Sequence, residues 1–231
     1  MTKAILLDVE GTTTSIDFVH KTLFPYSQSA LPTFIEEQSS NKQVQSCLTQ
    51  AEATMIAESK ETKTSFNNKE IVSQLLTWIK NDRKHPALKE LQGIIWEDGY
   101  RTKAYVSHIY DDVPTALAEW TNQGISVSIY SSGSERAQQL LFKYSKFGDL
   151  TKFISHYFDT RIGHKREPQS YHEISNQLKT SPQDILFLSD VEQELDAATD
   201  AGLKAIQIVR PGTDVTHLHK FAKDFKEVRT E

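Results

Sequence analysis

The feature that most constrains the fold is an apolar run that ends on acids. Ala4-Ile5-Leu6-Leu7 passes directly into Asp8-Val9-Glu10-Gly11-Thr12-Thr13-Thr14. A short run without polar alternation reads as a strand buried on both faces, the kind found in parallel sheets. Two carboxylates at the end of such a strand are costly unless something compensates them. Open parallel sheets bind ligands at the carboxyl ends of their strands. Gly11 lets the backbone turn sharply and approach a ligand, and the three threonines supply hydroxyls and amides. The stretch suits a cation and a phosphate.

The pattern after this strand has two parts. From Ile16 to Ser107 the sequence reads as almost entirely helical, with Val44, Cys47, Leu48, Ala51 and Met55 at helical spacing, and Ile71, Leu75 and Ile79 likewise. The polar stretch 59–68 is expected to be a loop. Pro86 is expected to start a helix that ends near Gly93 or Gly99. From Val113 onward, strands and helices alternate. A helix over 114–122 ends at Gly124, and an alternating strand over 125–130 runs into Ser131-Ser132-Gly133-Ser134. A helix over 135–146 follows, with Ala137, Leu140, Leu141 and Tyr144 on one face. A short strand over 153–158, a helix over 170–178 and a buried strand over 184–188 come next, the strand ending on Ser189-Asp190. A helix running to Gly202 and a final strand over 203–209 close the pattern.

Repeated strand–helix units imply a parallel sheet with helices on both faces. The expected fold is therefore α/β, with a Rossmann-like parallel-sheet core over 1–15 and 108–231. The helical stretch over 16–107 is an insertion. It leaves from the ligand-binding edge directly after the threonines, where a helical cap would cover the site.

Composition narrows the function classes. A formal net charge of -5 does not suggest a nucleic-acid binder, which usually carries a basic patch. The single cysteine, Cys47, excludes an internal disulfide and fits a reducing compartment; it reads as core or surface filler. No stretch reaches the length of a membrane span, and Ile5-Leu6-Leu7 is too short for a signal-peptide core. The expected setting is the cytosol, with no membrane partner.

Three strand ends carry polar groups: Asp8 with Glu10, Ser131 with Ser132, and Ser189 with Asp190. In one parallel sheet they converge on one edge. Oxygen ligands of this kind suit magnesium, which uses one or two carboxylates and keeps waters. Lys165, in Gly163-His164-Lys165-Arg166, could neutralise a phosphate as a point charge. Each residue also has a plainer reading. Asp8 could cap a loop, Ser131 and Ser132 could cap the following helix, and Lys165 could be a solvated surface lysine. Glu194 could hold a metal-bound water or face solvent. For His164, His217 and His219 a surface role is the favoured reading.

Asp8-Val9-Glu10-Gly11-Thr12, a serine at the second core strand's end, Lys165 downstream, and Asp190 after Ile185-Leu186-Phe187-Leu188 together resemble the ordered motifs of the haloacid-dehalogenase-like (HAD) hydrolases. Most phosphatases of that superfamily have Asp two residues after the nucleophile, where this chain has Glu10. With Tyr130-Ser131-Ser132-Gly133-Ser134, Phe158-Asp159-Thr160, Ser170-Tyr171, the segment Leu91-Gln92-Gly93 with Trp96, and Arg210-Pro211-Gly212, the chain is similar to the enolase-phosphatase branch nearly end to end.

That resemblance implies a two-step conversion in methionine salvage. The substrate, 2,3-diketo-5-methylthiopentyl-1-phosphate, is enolised and then dephosphorylated to 1,2-dihydroxy-3-keto-5-methylthiopentene. It implies Asp8 as nucleophile and Glu10 as acid–base group. It also implies Ser131, Ser132 and Lys165 as phosphate-binding residues. One Mg2+ per chain is implied on Asp8, Glu10 (through its backbone carbonyl) and Asp190. Family members are monomeric and occur in cytoplasm and nucleus. For the proton removed in the enolase step, Glu10 is the first candidate and a residue of the helical insertion the second. Trp96, Tyr100, Tyr105 and Phe66 are candidates for a methylthio pocket, or simply for core. The rival readings are a phosphatase of the same superfamily for another small phosphorylated metabolite, a non-catalytic member, and a dehalogenase.

Overall fold

A computed structural model of the chain describes residues 1–59 and 63–230. Strands β1 (Ala4–Leu7), β2 (Ser126–Tyr130), β3 (His156–Phe158), β4 (Ile185–Ser189), β5 (Lys204–Ile208) and β6 (Lys220–Ala222) form one sheet. Its order is β3-β2-β1-β4-β5-β6, and every pairing is parallel. The chain steps outward from β1 to β2 and β3, then returns to lay β4 on the other side of β1. The sheet therefore reverses direction between β1 and β4, and such a reversal opens a crevice at the strands' carboxyl ends.

Alternate residues of each central strand feed two separate cores. Ile5 and Leu7 of β1 and Leu186 and Leu188 of β4 pack with Val113, Leu117 and Trp120 of helix α6 (Val113–Asn122). Ala4, Leu6, Ile185 and Phe187 face the other way. They pack with Tyr171 and Ile174 of α8 (Pro168–Leu178) and Leu195 and Ala198 of α9 (Glu192–Asp200). Helices cover both faces, which explains why β1 and β4 are buried at every position. The same covering buries Ser128 of the alternating strand β2, whose polar positions face a helix-covered side rather than solvent. Gly124 takes φ +78° after α6, the left-handed conformation expected of it.

The chain divides into two compact units, Met1–Phe18 with Val106–Glu231, and Val19–Tyr105. The first holds the sheet, with a single short helix (α1, Ile16–Phe18) before the boundary. The second begins with a π-helical turn, Val19–Leu23, and contains α2 (Phe24–Glu37), α3 (Lys42–Glu58), α4 (Asn68–Lys80) and α5 (Pro86–Arg101). Their apolar stripes share one core, which includes Leu31, Val44, Cys47, Ala51, Leu75, Trp78 and Leu91. A reciprocal capping box between Asn67 and Glu70 starts α4. The loop expected over 59–68 includes 60–62, which lie outside the described residues. No described helix is long and apolar enough to cross a membrane.

Several boundaries differ from the sequence expectation; the helix over 135–146 ends at Lys143 and the one over 170–178 starts at Pro168. The expected strand over 153–158 is a 3-10 turn, Thr151–Phe153, followed by β3. The final strand is not β5, because β6 extends the sheet; with three residues, two of them exposed, it has no readable alternation. Helix α5 does not stop at Gly93 or Gly99 but continues to Arg101. Gly99 is there for packing. A Cβ at that position would lie 2.7 Å from the Tyr26 ring and 2.8 Å from the Tyr105 ring and hydroxyl.

Two opposed effects therefore meet in Gly99→Ala. Helix propensity favours alanine by about 1 kcal/mol, while overpacking a fixed core costs about 1–3 kcal/mol. The Tyr105 hydroxyl is tied to the Trp96 carbonyl at 3.1 Å, which holds the ring against swinging aside. Urea denaturation is expected to show a net loss of stability, and a gain would contradict this packing role.

Candidate active site

The site begins with the turn after β1. The Asp8 amide continues the sheet by donating to the Leu188 carbonyl at 2.9 Å, so the Asp8 side chain leaves from a fixed strand end. The chain then folds back on itself. The amides of Thr12, Thr13 and Thr14 all converge on the Val9 carbonyl, at 3.3, 3.0 and 3.0 Å, and Gly11 donates to the Thr14 carbonyl at 2.8 Å. Gly11 has φ +81°, and a Cβ there would sit 2.2 Å from an Asp190 carboxylate oxygen. Glycine is thus required by both the turn and the space. Asp190, just beyond β4, accepts a hydrogen bond from the Thr12 hydroxyl at 3.4 Å.

The two oxygens of Asp8 are held differently. Oδ1 accepts from its neighbour's amide, Val9 N, at 2.7 Å and from Lys165 Nζ at 2.5 Å. Oδ2 accepts from Ser189 Oγ at 3.1 Å. Lys165 is buried and also pairs with Glu194 at 2.5 Å. Its loop is pinned from α8: the Tyr171 hydroxyl donates to the Lys165 carbonyl at 2.7 Å, and Ser170 donates to the His164 carbonyl at 2.7 Å. This accounts for the Ser170-Tyr171 pair noted in the sequence.

Glu10 points to the β2 side. Ser131 Oγ lies 3.3 and 3.0 Å from its two carboxylate oxygens and accepts from the Gly133 amide at 3.0 Å. Gln138 of α7 (Glu135–Lys143) fixes the same loop, donating to the Gly133 and Phe158 carbonyls at 2.8 and 2.9 Å.

Four carboxyl groups, Asp8, Glu10, Asp190 and Glu194, thus share one ammonium, Lys165. Burial works to lower the Lys165 pKa, but the Asp8 and Glu194 carboxylates more than offset it and hold the ammonium above its ordinary range. Burial, with Asp8 adding to it, raises Glu10. The same two causes push Asp190 and Glu194 each up to about 7. The excess of negative charge, the hard oxygen donors and the close approach of the Asp190 carboxylate to the Gly11 turn fit a divalent cation such as Mg2+. Among the described residues no three of His, Cys, Asp and Glu form a complete metal cluster. A cation here would rely on few carboxylates and on carbonyl or water oxygens.

The structure brings Asp8, Lys165 and Asp190 together at one edge, with Glu10 and Ser131 paired beside them. Ser132 and His164 are exposed. Glu194 neither faces solvent nor stands alone: it is buried, paired with Lys165, and 3.1 Å from Ser189 Oγ. In sequence it stands one helical turn beyond Asp190, and only the fold brings Lys165 to it. His219 pairs with Asp196 at 2.8 Å on the protein surface. His108 was not singled out, yet it clamps the end of the threonine turn. Its Nδ1 accepts from the Ser15 amide at 3.0 Å, and its carbonyl accepts from the Thr14 hydroxyl at 2.6 Å.

A carboxylate on the turn after β1, a buried lysine reaching it and acids after β4 define a hydrolase of the haloacid dehalogenase type. The family model for haloacid dehalogenase-like hydrolases matches residues 2–202. Enolase-phosphatase E1 from Methylococcus capsulatus is 44% identical over 231 residues, 100% of this chain and 99% of that protein. Its counterpart in a Picosynechococcus species is 42% identical, with 97% of each chain covered. The crystal structure of the UTR4 protein from Saccharomyces cerevisiae superposes with a TM-score of 0.82 at 31% identity, covering 99% of this chain and 100% of that one. CbbY from Rhodobacter sphaeroides in complex with phosphate shares the fold, with a TM-score of 0.60 at 18% identity. This chain therefore belongs to the enolase-phosphatase E1 family of haloacid dehalogenase-like hydrolases.

The raised carboxylates make the metal-free protein sensitive to pH. A carboxyl group whose folded pKa lies above its unfolded value stabilises the fold while protonated, below the unfolded value. That contribution is lost as pH rises from about 4 through about 7, the window set by Asp190 and Glu194. In EDTA, Tm is expected to be lower at pH 8 than at pH 6. Mg2+ should restore more of it at pH 8, and Asp190→Asn should flatten the slope. An equal slope in wild type and Asp190→Asn would contradict this charge balance.

Proposed function

We propose that this chain is a magnesium-dependent enolase-phosphatase of methionine salvage. It enolises 2,3-diketo-5-methylthiopentyl-1-phosphate and then releases the phosphate, giving 1,2-dihydroxy-3-keto-5-methylthiopentene. The observation that carries this reading is the contrast between the two acids of the β1 turn. Asp8 is held by Lys165 and Ser189, while Glu10 is held apart by Ser131 with its pKa raised by burial. Full-length relatives named for both reactions support it.

In this reading Asp8 is the nucleophile. One of its oxygens forms a bond to phosphorus, and the bond from phosphorus to the substrate oxygen breaks. That oxygen keeps the electron pair and takes a proton from Glu10, whose raised pKa suits a general acid. Glu10, now anionic, takes a proton from water as the water oxygen attacks phosphorus, and the Asp8–phosphorus bond breaks to free phosphate. Lys165 and the Ser131–Ser132 loop hold phosphate oxygens, and the lysine charge favours the transition state. In the preceding step, Glu10 in its anionic form is assigned the proton next to the substrate carbonyl. Asp8, Asp190 and the Glu10 carbonyl would hold one Mg2+, which when bound offsets repulsion between the nucleophile and the phosphate.

The helical insertion is read as the cap of this family and as the source of substrate discrimination. Trp96 and Tyr100 are buried there, with Trp96 Nε1 bonded to the Leu23 carbonyl at 2.8 Å, which favours a core role for both. The remaining parts of the reading are a monomer in the cytoplasm, with the nucleus a second address, and no nucleic-acid or membrane partner.

Asp8→Asn is expected to cut phosphate release by at least about 10³-fold. Glu10→Gln is expected to slow both enolisation, followed by ultraviolet absorbance, and hydrolysis by about 10²–10⁴-fold. If only hydrolysis slows, Glu10 is not the enolisation base. If a simple phosphate ester is hydrolysed but the diketone is never enolised, the alternative holds: a phosphatase for another small phosphorylated metabolite.

A further inference from the structure

The Arg210-Pro211-Gly212 segment has no part in the chemistry above, yet Arg210, like Lys165, is a buried cation. Arg210 lies just past β5 and is only 5% exposed. Its Nε donates to the Thr12 carbonyl at 3.0 Å, and its Nη1 donates to Asp112 at 2.9 Å. The Tyr110 and Phe225 rings flank the guanidinium, 4.1 and 5.1 Å from its central carbon. The other Asp112 oxygen is occupied by the Phe225 amide at 2.7 Å. Arg210 Nη2 has no hydrogen-bond partner among the described residues, so Nε and Nη1 alone set the fork's orientation.

Thr12 follows Gly11, which takes φ +81°, and its hydroxyl contacts Asp190. Its three neighbouring amide bonds run to Val9, inside the same turn. Of the bonds described for the Thr12 backbone, the one from Arg210 reaches in from another strand end, 198 residues away. We infer that Arg210 is a positioning residue: it fixes the Gly11–Thr12 turn from outside and so holds the Thr12 hydroxyl on Asp190. A lysine could keep the charge beside Asp112, but its single amine cannot serve the Thr12 carbonyl and Asp112 in the fork geometry of a guanidinium. An error of about 1 Å in such a turn can cost about 10²-fold in rate.

This rests on reading Asp8 and Asp190 as the Mg2+ pair. The test measures Mg2+ binding by titration calorimetry, together with Tm and turnover, for wild type, Arg210→Lys and Asp112→Asn. In Arg210→Lys, Mg2+ affinity is expected to fall at least threefold and kcat about tenfold or more, with KM little changed and Tm close to wild type. Asp112→Asn leaves one carbonyl oxygen for both the Arg210 and the Phe225 amide donors, so it should lower Tm more than Arg210→Lys does while lowering Mg2+ affinity and kcat less. Wild-type Mg2+ affinity and kcat in Arg210→Lys would overturn the inference. So would losses that merely track Tm across both variants, or a failure of Arg210→Lys to fold. Wild type that binds no Mg2+ would overturn the metal reading instead.

Discussion

The site depends on one buried ammonium. Lys165 lies between Asp8 and Glu194 and is in contact with both. An isolated buried charge is very costly, and a buried pair is tolerated only when its remaining hydrogen bonds are met. The surrounding structure meets them. Ser189 Oγ lies within hydrogen-bond distance of both Asp8 and Glu194, and Tyr171 fixes the lysine's own carbonyl. The lysine therefore has a fixed place, and Asp8, which it touches, has one too. The same cation that makes Asp8 tolerable in the core can move its charge onto phosphate oxygens.

What the sheet supplies is convergence. β1 and β4 pair directly, so Asp8 and the Ser189–Asp190 pair come off neighbouring strand ends at the point where the sheet order reverses. β2 brings Ser131 from the other side of β1. Two apolar cores, one on each face, keep these ends rigid. Four acids with one amine leave a deficit of positive charge, and the raised Asp190 and Glu194 register it. A divalent cation would make up that deficit and so allow a phosphate to approach the same edge.

The parts that were legible in the sequence follow from local rules. A buried strand that ends on acids is visible because core residues and carboxylates do not usually adjoin, and both Asp8 and Asp190 carry that signal. The unreadable parts depend on distance in the chain. Glu194 sits in the first turn of α9, where an acid ordinarily complements the helix dipole in solvent; only the fold brings Lys165 to it. Gly99 reads as a helix stop because the tyrosines that exclude a side chain lie elsewhere in the chain. Ser128 is fully buried although β2 alternates, because a strand covered on both faces buries its polar positions as well. β6 is too short to show a period.

In the proposed reaction Asp8 carries the phosphoryl group. Borohydride reduces an acyl phosphate to the alcohol, so an aspartyl-phosphate trapped at steady state is converted to homoserine. The protein would be mixed with the diketone phosphate and Mg2+, quenched, reduced and sequenced by peptide mass spectrometry. Homoserine is expected at position 8, and more of it in Glu10→Gln, where attack by water is slowed. Rapid phosphate release with aspartate intact at position 8 under trapping conditions would contradict it.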